Sequence, residues 1–331
     1  MITLPRTILI AALSVSVMVL AAGPALAQDA GEAGQGETEP ELQAPEPEEA
    51  KLKLRLKGDG KVGVGDSASA VGTLKPFVAG QKVLVQLRSN GKTKSSTRVK
   101  VRRKKGANDA GYFNYVKRIV EPGKYKITAT HFETKKLGEA TGKTRRFKIT
   151  YPSLRRGDRG ASVRLLNRLL DDLGYVTASG EKYGGKTARA VLAYRKTNNM
   201  ARTTSATSGI FRRLAAGKGA FKLQDPGNGK QIEVDISRQV MALAVDGEVI
   251  RTYHVSTGAA ATPTVRGKWT FYRRHAGYNA IGMYWSSFWV RGYAIHGYKS
   301  VPTHPASHGC VRTHLGEAKS IYDWIDGGTT I

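Results

Sequence analysis

The spacing of apolar residues changes twice along this chain, and that change limits its folding more than any other feature. From Lys51 to about Tyr151 polar and apolar residues alternate, as in Lys51-Leu52-Lys53-Leu54-Arg55-Leu56. Side chains of a strand point to opposite faces in turn, so this alternation predicts half-buried strands. Further candidates are Lys82–Arg88, Arg98–Arg102, Tyr112–Val116, Tyr125–Thr130 and Arg145–Ile149, separated by turn residues such as Asn90-Gly91 and Glu121-Pro122-Gly123. From Pro152 to about Gly217 the spacing becomes helical. Val163, Leu166, Leu170 and Leu173 share one face before Gly174, and two more short helices are expected. Strand patterns return from Phe221 to Ile331. Gln239–Val245, Asp246-Gly247 and Glu248–Val255 read as a hairpin, because Asp-Gly suits the turns that match strand twist. Lys268–Arg274 and Tyr293–His296 read as further strands, and Leu315–Ile325 as one helix packed on the sheet. The expected fold class is multidomain and mostly β.

The start of the chain reads as a secretory signal over residues 1–27: Arg6, an apolar stretch from Ile8 to Ala22, then Ala25-Leu26-Ala27 as a small-x-small cleavage site. Residues 28–50 follow as an acidic, disordered linker, with eight acidic residues and no basic one between Asp29 and Ala50. No later apolar run is long enough to span a bilayer, so no stable membrane span is expected after signal cleavage. The formal net charge is +27, so the folded remainder is strongly cationic. Inside a cell that balance points to nucleic acid, but export removes that partner. The expected location is outside the membrane, secreted to the cell wall or periplasm, where anionic wall polymers and peptide carboxylates are the available counter-charges.

A single cysteine, Cys310, cannot form an internal disulfide. It lies in Ser307-His308-Gly309-Cys310-Val311-Arg312, downstream of Ala294-Ile295-His296-Gly297. A thiol attacks a carbonyl well when a base takes its proton, and imidazole is the usual partner. His296 at a strand end and Cys310 after a loop can meet in space. Between Glu248 and Glu317 there is no aspartate or glutamate, so a carboxylate-oriented triad would have to borrow its acid from elsewhere in the fold. A backbone carbonyl orienting His296 needs no such residue. His296, His304, His308 and His314 cluster near Cys310, but their spacings match no standard zinc signature, and neither metal nor cofactor is expected.

These residues resemble the L,D-transpeptidase family, the YkuD-type catalytic domain, whose signature is a His-Gly, a variable loop and Ser-His-Gly-Cys followed by an aliphatic residue and Arg or Asn. The resemblance covers residues 221–331 and implies a β-rich catalytic domain acting on peptidoglycan stem peptides. Cys310 would be acylated by a tetrapeptide stem with release of D-alanine, and His296 would be the base, oriented by the Gly297 carbonyl. His308, Gly309 and the Cys310 amide would build the oxyanion site, while Ser307 and Arg312 would hold the loop or the substrate. Tyr284 and Trp285 either line the donor pocket or pack the β core. An amine acceptor gives a 3→3 crosslink and water gives carboxypeptidase activity. Attachment of proteins to the wall, or a non-catalytic wall-binding scaffold, are the alternatives.

Residues 152–217 resemble the small three-helix peptidoglycan-binding domain through Arg156-Gly157-Asp158, Val163-Arg164-Leu165-Leu166-Asn167, Leu173-Gly174-Tyr175 and Tyr183-Gly184. Asn167 and Arg195 stand where that family has glutamine. Residues 51–151 are expected to form a β-sandwich resembling immunoglobulin-like modules, with a spacer or scaffold role.

Overall fold

The computed structural model describes residues 45–58, 62–103, 105, 106 and 109–331. The expected signal segment and the linker as far as residue 44 lie outside the described residues. Glu48, within the stretch expected to be linker, is already tied to the sheet region. Its N–H donates to Lys136 O and its carbonyl accepts from Gly138 N at 2.9 Å.

Among the described residues ten strands precede the first helix: β1 (Lys51–Leu56), β2 (Val62–Gly63), β3 (Ser67–Lys75), β4 (Lys82–Ser89), β5 (Lys92–Lys100), β6 (Arg102–Arg103), β7 (Gly111–Arg118), β8 (Gly123–His131), β9 (Ala140–Thr141) and β10 (Arg145–Thr150). They make two sheets, one ordered β1-β3-β7-β6 and the other β2-β10-β8-β4-β5 with β9 attached to β8. Leu54, Leu74 and Phe113 of the first sheet share a core with Val85, Ile127 and Phe147 of the second. The alternation read from the sequence is the alternation of burial seen in β4, β7, β8 and β10. Strand β3 was not expected, because Ser67-Ala68-Ser69-Ala70 carries too little apolar mass to stand out. It is nonetheless the central partner of β1 and β7, with Ala68, Ala70 and Leu74 buried.

Helices α1 (Ala161–Asp171), α2 (Gly185–Thr197) and α3 (Ser208–Ala215) follow. α1 buries Val163, Leu166 and Leu170, and Thr207 caps α3 by accepting the Ile210 N–H. These helices do not close a core of their own. Their buried residues are continuous with those of the two upstream sheets and with Val240 and Ala242 downstream.

The C-terminal part holds β11 (Lys230–Asp235), β12 (Val240–Val245), β13 (Glu248–His254), β14 (Arg273–Tyr278), β15 (Tyr284–Val290), β16 (Tyr293–Tyr298), β17 (Val311–His314) and α4 (Leu315–Trp324). One sheet runs β11-β12-β13 and the other β14-β15-β16-β17. The β12–β13 hairpin turns at Asp246 and Gly247, whose φ values of 49° and 79° are both left-handed, as the expected turn requires. β12 is buried on both faces. Val240 and Ala242 meet the helical core, while Met241 and Leu243 join Trp289, Ile295, Val311 and Ile321 in a second core. The strand expected over Lys268–Arg274 begins only at Arg273. Before it, Trp269 and Phe271 pair with the chain's last residues, Trp269 N donating to Ile331 O at 2.9 Å. No helix among the described residues is long and apolar enough to cross a membrane.

Candidate active site

Strands β16 and β17 pair in parallel, with Ile295 opposite Val311, His296 opposite Arg312 and Gly297 opposite Thr313. A parallel pair needs a crossover, and here residues 299–310 carry the chain back to the start of β17. Alternation along β16 places Ala294, His296 and Tyr298 on one face and Ile295 and Gly297 on the other. Cys310 packs against Ala294, Met283 and Phe288, so the thiol lies on the face that carries His296.

His296 is 4% exposed, and its Nδ1 is 3.0 Å from Gly297 O. A carbonyl only accepts, so in the neutral ring Nδ1 carries the hydrogen and Nε2 keeps its lone pair. Burial pulls the ring's pKa down to about 4; the Gly297 carbonyl opposes this and the Arg312 charge adds to it. No carboxylate contributes, in keeping with the acid-free stretch of sequence. Burial pushes the Cys310 thiol up, against the Ala294 backbone and the Arg312 charge, which both favour the thiolate. At neutral pH the pair therefore rests as thiol and neutral imidazole. The guanidinium of Arg312 stands 4.3 Å from the Tyr298 ring centre, with no acidic partner among the described residues.

The loop before Cys310 is held from within and from below. Ser307 Oγ donates to Cys310 O at 2.6 Å and accepts the Gly309 N–H at 3.1 Å. Ser307 is buried. Gly309 has φ 110°, and a Cβ there would stand 2.2 Å from the Tyr293 ring. Its amide is engaged by Ser307, so it is not a free donor for an oxyanion in this state. His308 is exposed. A strap over residues 256–264 supports the loop: Thr264 Oγ1 donates to Gly309 O at 2.7 Å, Thr262 Oγ1 to Ser307 O at 2.9 Å, and Ser307 N to Thr257 O at 3.0 Å. The sequence reading missed this strap. Its signal is the hydroxyl-rich run Ser256-Thr257-Gly258 to Thr262-Pro263-Thr264, which has no apolar period.

Tyr284 and Trp285 are not brought to the thiol. Tyr284 pairs with Gly297, on the face away from His296, and its ring centre lies 4.5 Å from that of Tyr278, tilted by 38°. Trp285 lies 4.8 Å from Tyr322 of α4, with Lys319 over its ring. Both residues cover the α4 side of the sheet. A cavity of about 360 Å³ touches Thr264, Arg266, Trp269, Trp289 and Val311, but Val311 points away from the thiol face, so this space is not a cleft at Cys310.

The crossover is also gripped by the helical region. Arg202 donates to Thr303 O at 2.6 Å and to Ser237 O at 3.0 Å. Buried Lys196 of α2 lies 2.8 Å from His254 Nδ1, and His254 Nε2 lies 3.0 Å from Val301 O. Arg189 of α2 pairs with Glu317 of α4 at 2.7 Å, the glutamate being almost fully buried. Among the described residues no group of three or more His, Cys, Asp or Glu could hold a metal ion.

A histidine whose tautomer is fixed by a carbonyl and a thiol thus share one face of a parallel strand pair. Residues 229–331 match the family model of YkuD, the L,D-transpeptidase catalytic domain, and this stretch carries that domain. The chain is similar to the protein of Bacillus subtilis (strain 168) assigned by name to the L,D-transpeptidases as YkuD, with 26% identity over 103 residues. That match spans 30% of this chain and 63% of the relative, less than two thirds of its length. It is also similar to the crystal structure of an L,D-transpeptidase from Xylanimonas cellulosilytica, with 29% identity, 54% of this chain and 96% of that one covered, and a TM-score of 0.51.

Proposed function

We propose that the chain is a cysteine-dependent L,D-transpeptidase that acts on peptidoglycan tetrapeptide stems at the cell wall or in the periplasm. The observation that carries the reading is the common face of His296 and Cys310, with the His296 Nδ1 hydrogen held by Gly297 O and Nε2 left to accept a proton. Nε2 takes the thiol proton as sulfur attacks the carbonyl joining the third stem residue to the terminal D-alanine. The imidazolium then returns the proton to the leaving amine, D-alanine departs, and a thioester on Cys310 remains. A second amine attacks the thioester, His296 removes its proton, and the thiol is restored as a 3→3 crosslink forms. Water in place of the amine gives carboxypeptidase activity.

Because Gly309 N–H is bound to Ser307, the backbone amide of Cys310 is the assigned oxyanion donor, and Gly309 serves to bring the loop against Tyr293. Arg312 supplies positive charge beside both reacting groups and attracts the anionic stem. Incubating the purified chain with a carbapenem and measuring its mass tests the reading. An adduct that disappears in Cys310→Ala supports it, and an unmodified wild-type chain overturns it. Muropeptides from a deletion strain separate the acceptors: loss of 3→3 dimers assigns the stem amine, and loss of wall-bound protein alone assigns attachment.

A further inference from the structure

Across all ten strands of the two upstream sheets there is no aspartate or glutamate. The larger of these sheets turns Lys82, Arg88, Arg98, Lys100, Lys124, Lys126, Arg146 and Lys148 outward, all exposed and none in an ion pair among the described residues. Several stand directly opposite one another in register: Lys82 with Lys100, Lys124 with Lys148, and Lys126 with both Arg146 and Arg88. Like charges facing each other across strands are destabilising. Glu121, just before β8, is held by Lys94 at 2.6 Å. Among the described residues the repulsion is thus left uncompensated.

We propose that this face is a docking surface for a linear wall polymer of the phosphodiester kind. Strand geometry sets the cations on a grid of roughly 5 Å across strands and 7 Å along them, which suits a chain bearing one negative charge per repeat. Five of the eight cations are lysines. An ammonium is a point charge that meets anionic oxygens in any orientation, which suits a flexible polymer presenting one anionic group per repeat. The sandwich region then holds the chain on the wall while the site at Cys310 works. The choice of a wall polymer over nucleic acid rests on the proposed location.

The test measures binding of the full chain to fluorescently labelled poly(glycerol phosphate) by anisotropy over a salt series. The patch variant is K124Q/K126Q/R146Q/K148Q. The control K51Q/K53Q/R55Q/K75Q removes the same charge from exposed positions of the other sheet. The patch variant is expected to bind at least tenfold more weakly, with a log–log salt slope smaller by about 3, and the control to bind within about threefold of wild type. Equal losses in both variants, or no loss in the patch variant, overturn the proposal. Polyglutamate bound as tightly as the phosphate polymer overturns the phosphodiester assignment, and a more than tenfold preference for double-stranded DNA assigns the face to nucleic acid instead. Binding is read without catalysis, and carbapenem acylation of the patch variant is expected to be unchanged, so failure here is distinct from failure of the transpeptidase reading.

Discussion

Lys196 of α2 points its ammonium at His254 of β13, with 2.8 Å between Nζ and Nδ1 and both side chains buried. Nζ also donates to Gln239 O at 3.1 Å and Val255 O at 3.2 Å, so all three of its hydrogens are used. Burial brings this lysine down to about 7, and the charge of Arg202 acts in the same direction. Through His254 the contact reaches Val301 in the crossover that leads to Cys310. Lys196→Met leaves two buried acceptors, His254 Nδ1 and Val255 O, without this donor and is expected to cost about 2–4 kcal/mol in stability. Denaturant unfolding checks the cost. Because the crossover loses its tie, acylation is expected to slow at temperatures where the variant is still folded, and an unchanged rate would separate the helices from the site.

The stability of the chain is expected to fall as pH drops from about 6.5 towards 4. His254 and His296 are pulled down to about 3 and about 4 in the fold, chiefly by burial, while an unfolded histidine titrates near 6.5. In that window the unfolded chain binds more protons than the folded one, so acid favours unfolding. Above the unfolded value the stabilisation is fully present. Thermal melts between pH 8 and pH 4 check the sign, and His254→Gln is expected to flatten the curve.

Acylation by a carbapenem is expected to keep most of its rate at pH 5 and to lose it towards pH 4. The base must be neutral to accept the thiol proton, and His296 stays neutral well below the ordinary imidazole range. A stopped-flow rate profile with an acid limb near 6.5 would show that His296 titrates as a solvated histidine.

Gly309→Ala is expected to slow acylation at least a hundredfold. The added methyl meets the Tyr293 ring, and φ 110° is a conformation that side chains resist. Adding Tyr293→Ala removes the collision but not the backbone strain, so the double variant is expected to recover only part of the rate.

Arg189→Met strands Glu317 in the interface between α2 and α4 and is expected to destabilise the chain by about 3–5 kcal/mol. Arg189→Met with Glu317→Gln is expected to regain much of that loss, because no buried charge then lacks a partner. Chemical denaturation of the two variants makes the comparison.

The parts of the fold that alternate apolar and polar residues were legible, and so was the His-Gly and Ser-His-Gly-Cys pair, because each depends on residues close in sequence. Strand β3 was hidden by its small side chains. β15 was hidden because Tyr284 to Val290 is rich in both aromatics and serines, and β17 because four residues carry little period. The parallel register that sets His296 opposite Arg312 depends on a crossover that no local pattern encodes. The same holds for the threonine strap under Cys310 and for the grip of Arg202 on Thr303. These contacts join residues dozens to a hundred positions apart, and hydroxyls and carbonyls leave no periodic trace. Tyr284 and Trp285 show the converse: aromatic residues near a site in sequence were drawn to the opposite side of the sheet by the need to cover α4.

The double-sided burial of β12 bears on how the chain can be divided. Residues 229–331 carry the recognisable domain, yet an excised fragment of that span would present Val240 and Ala242 to water and leave Glu317 facing an empty socket. Such a fragment would invite aggregation along a bare hydrophobic seam, and a cut ahead of α1 would open a second seam where the helices lean on the upstream sheets.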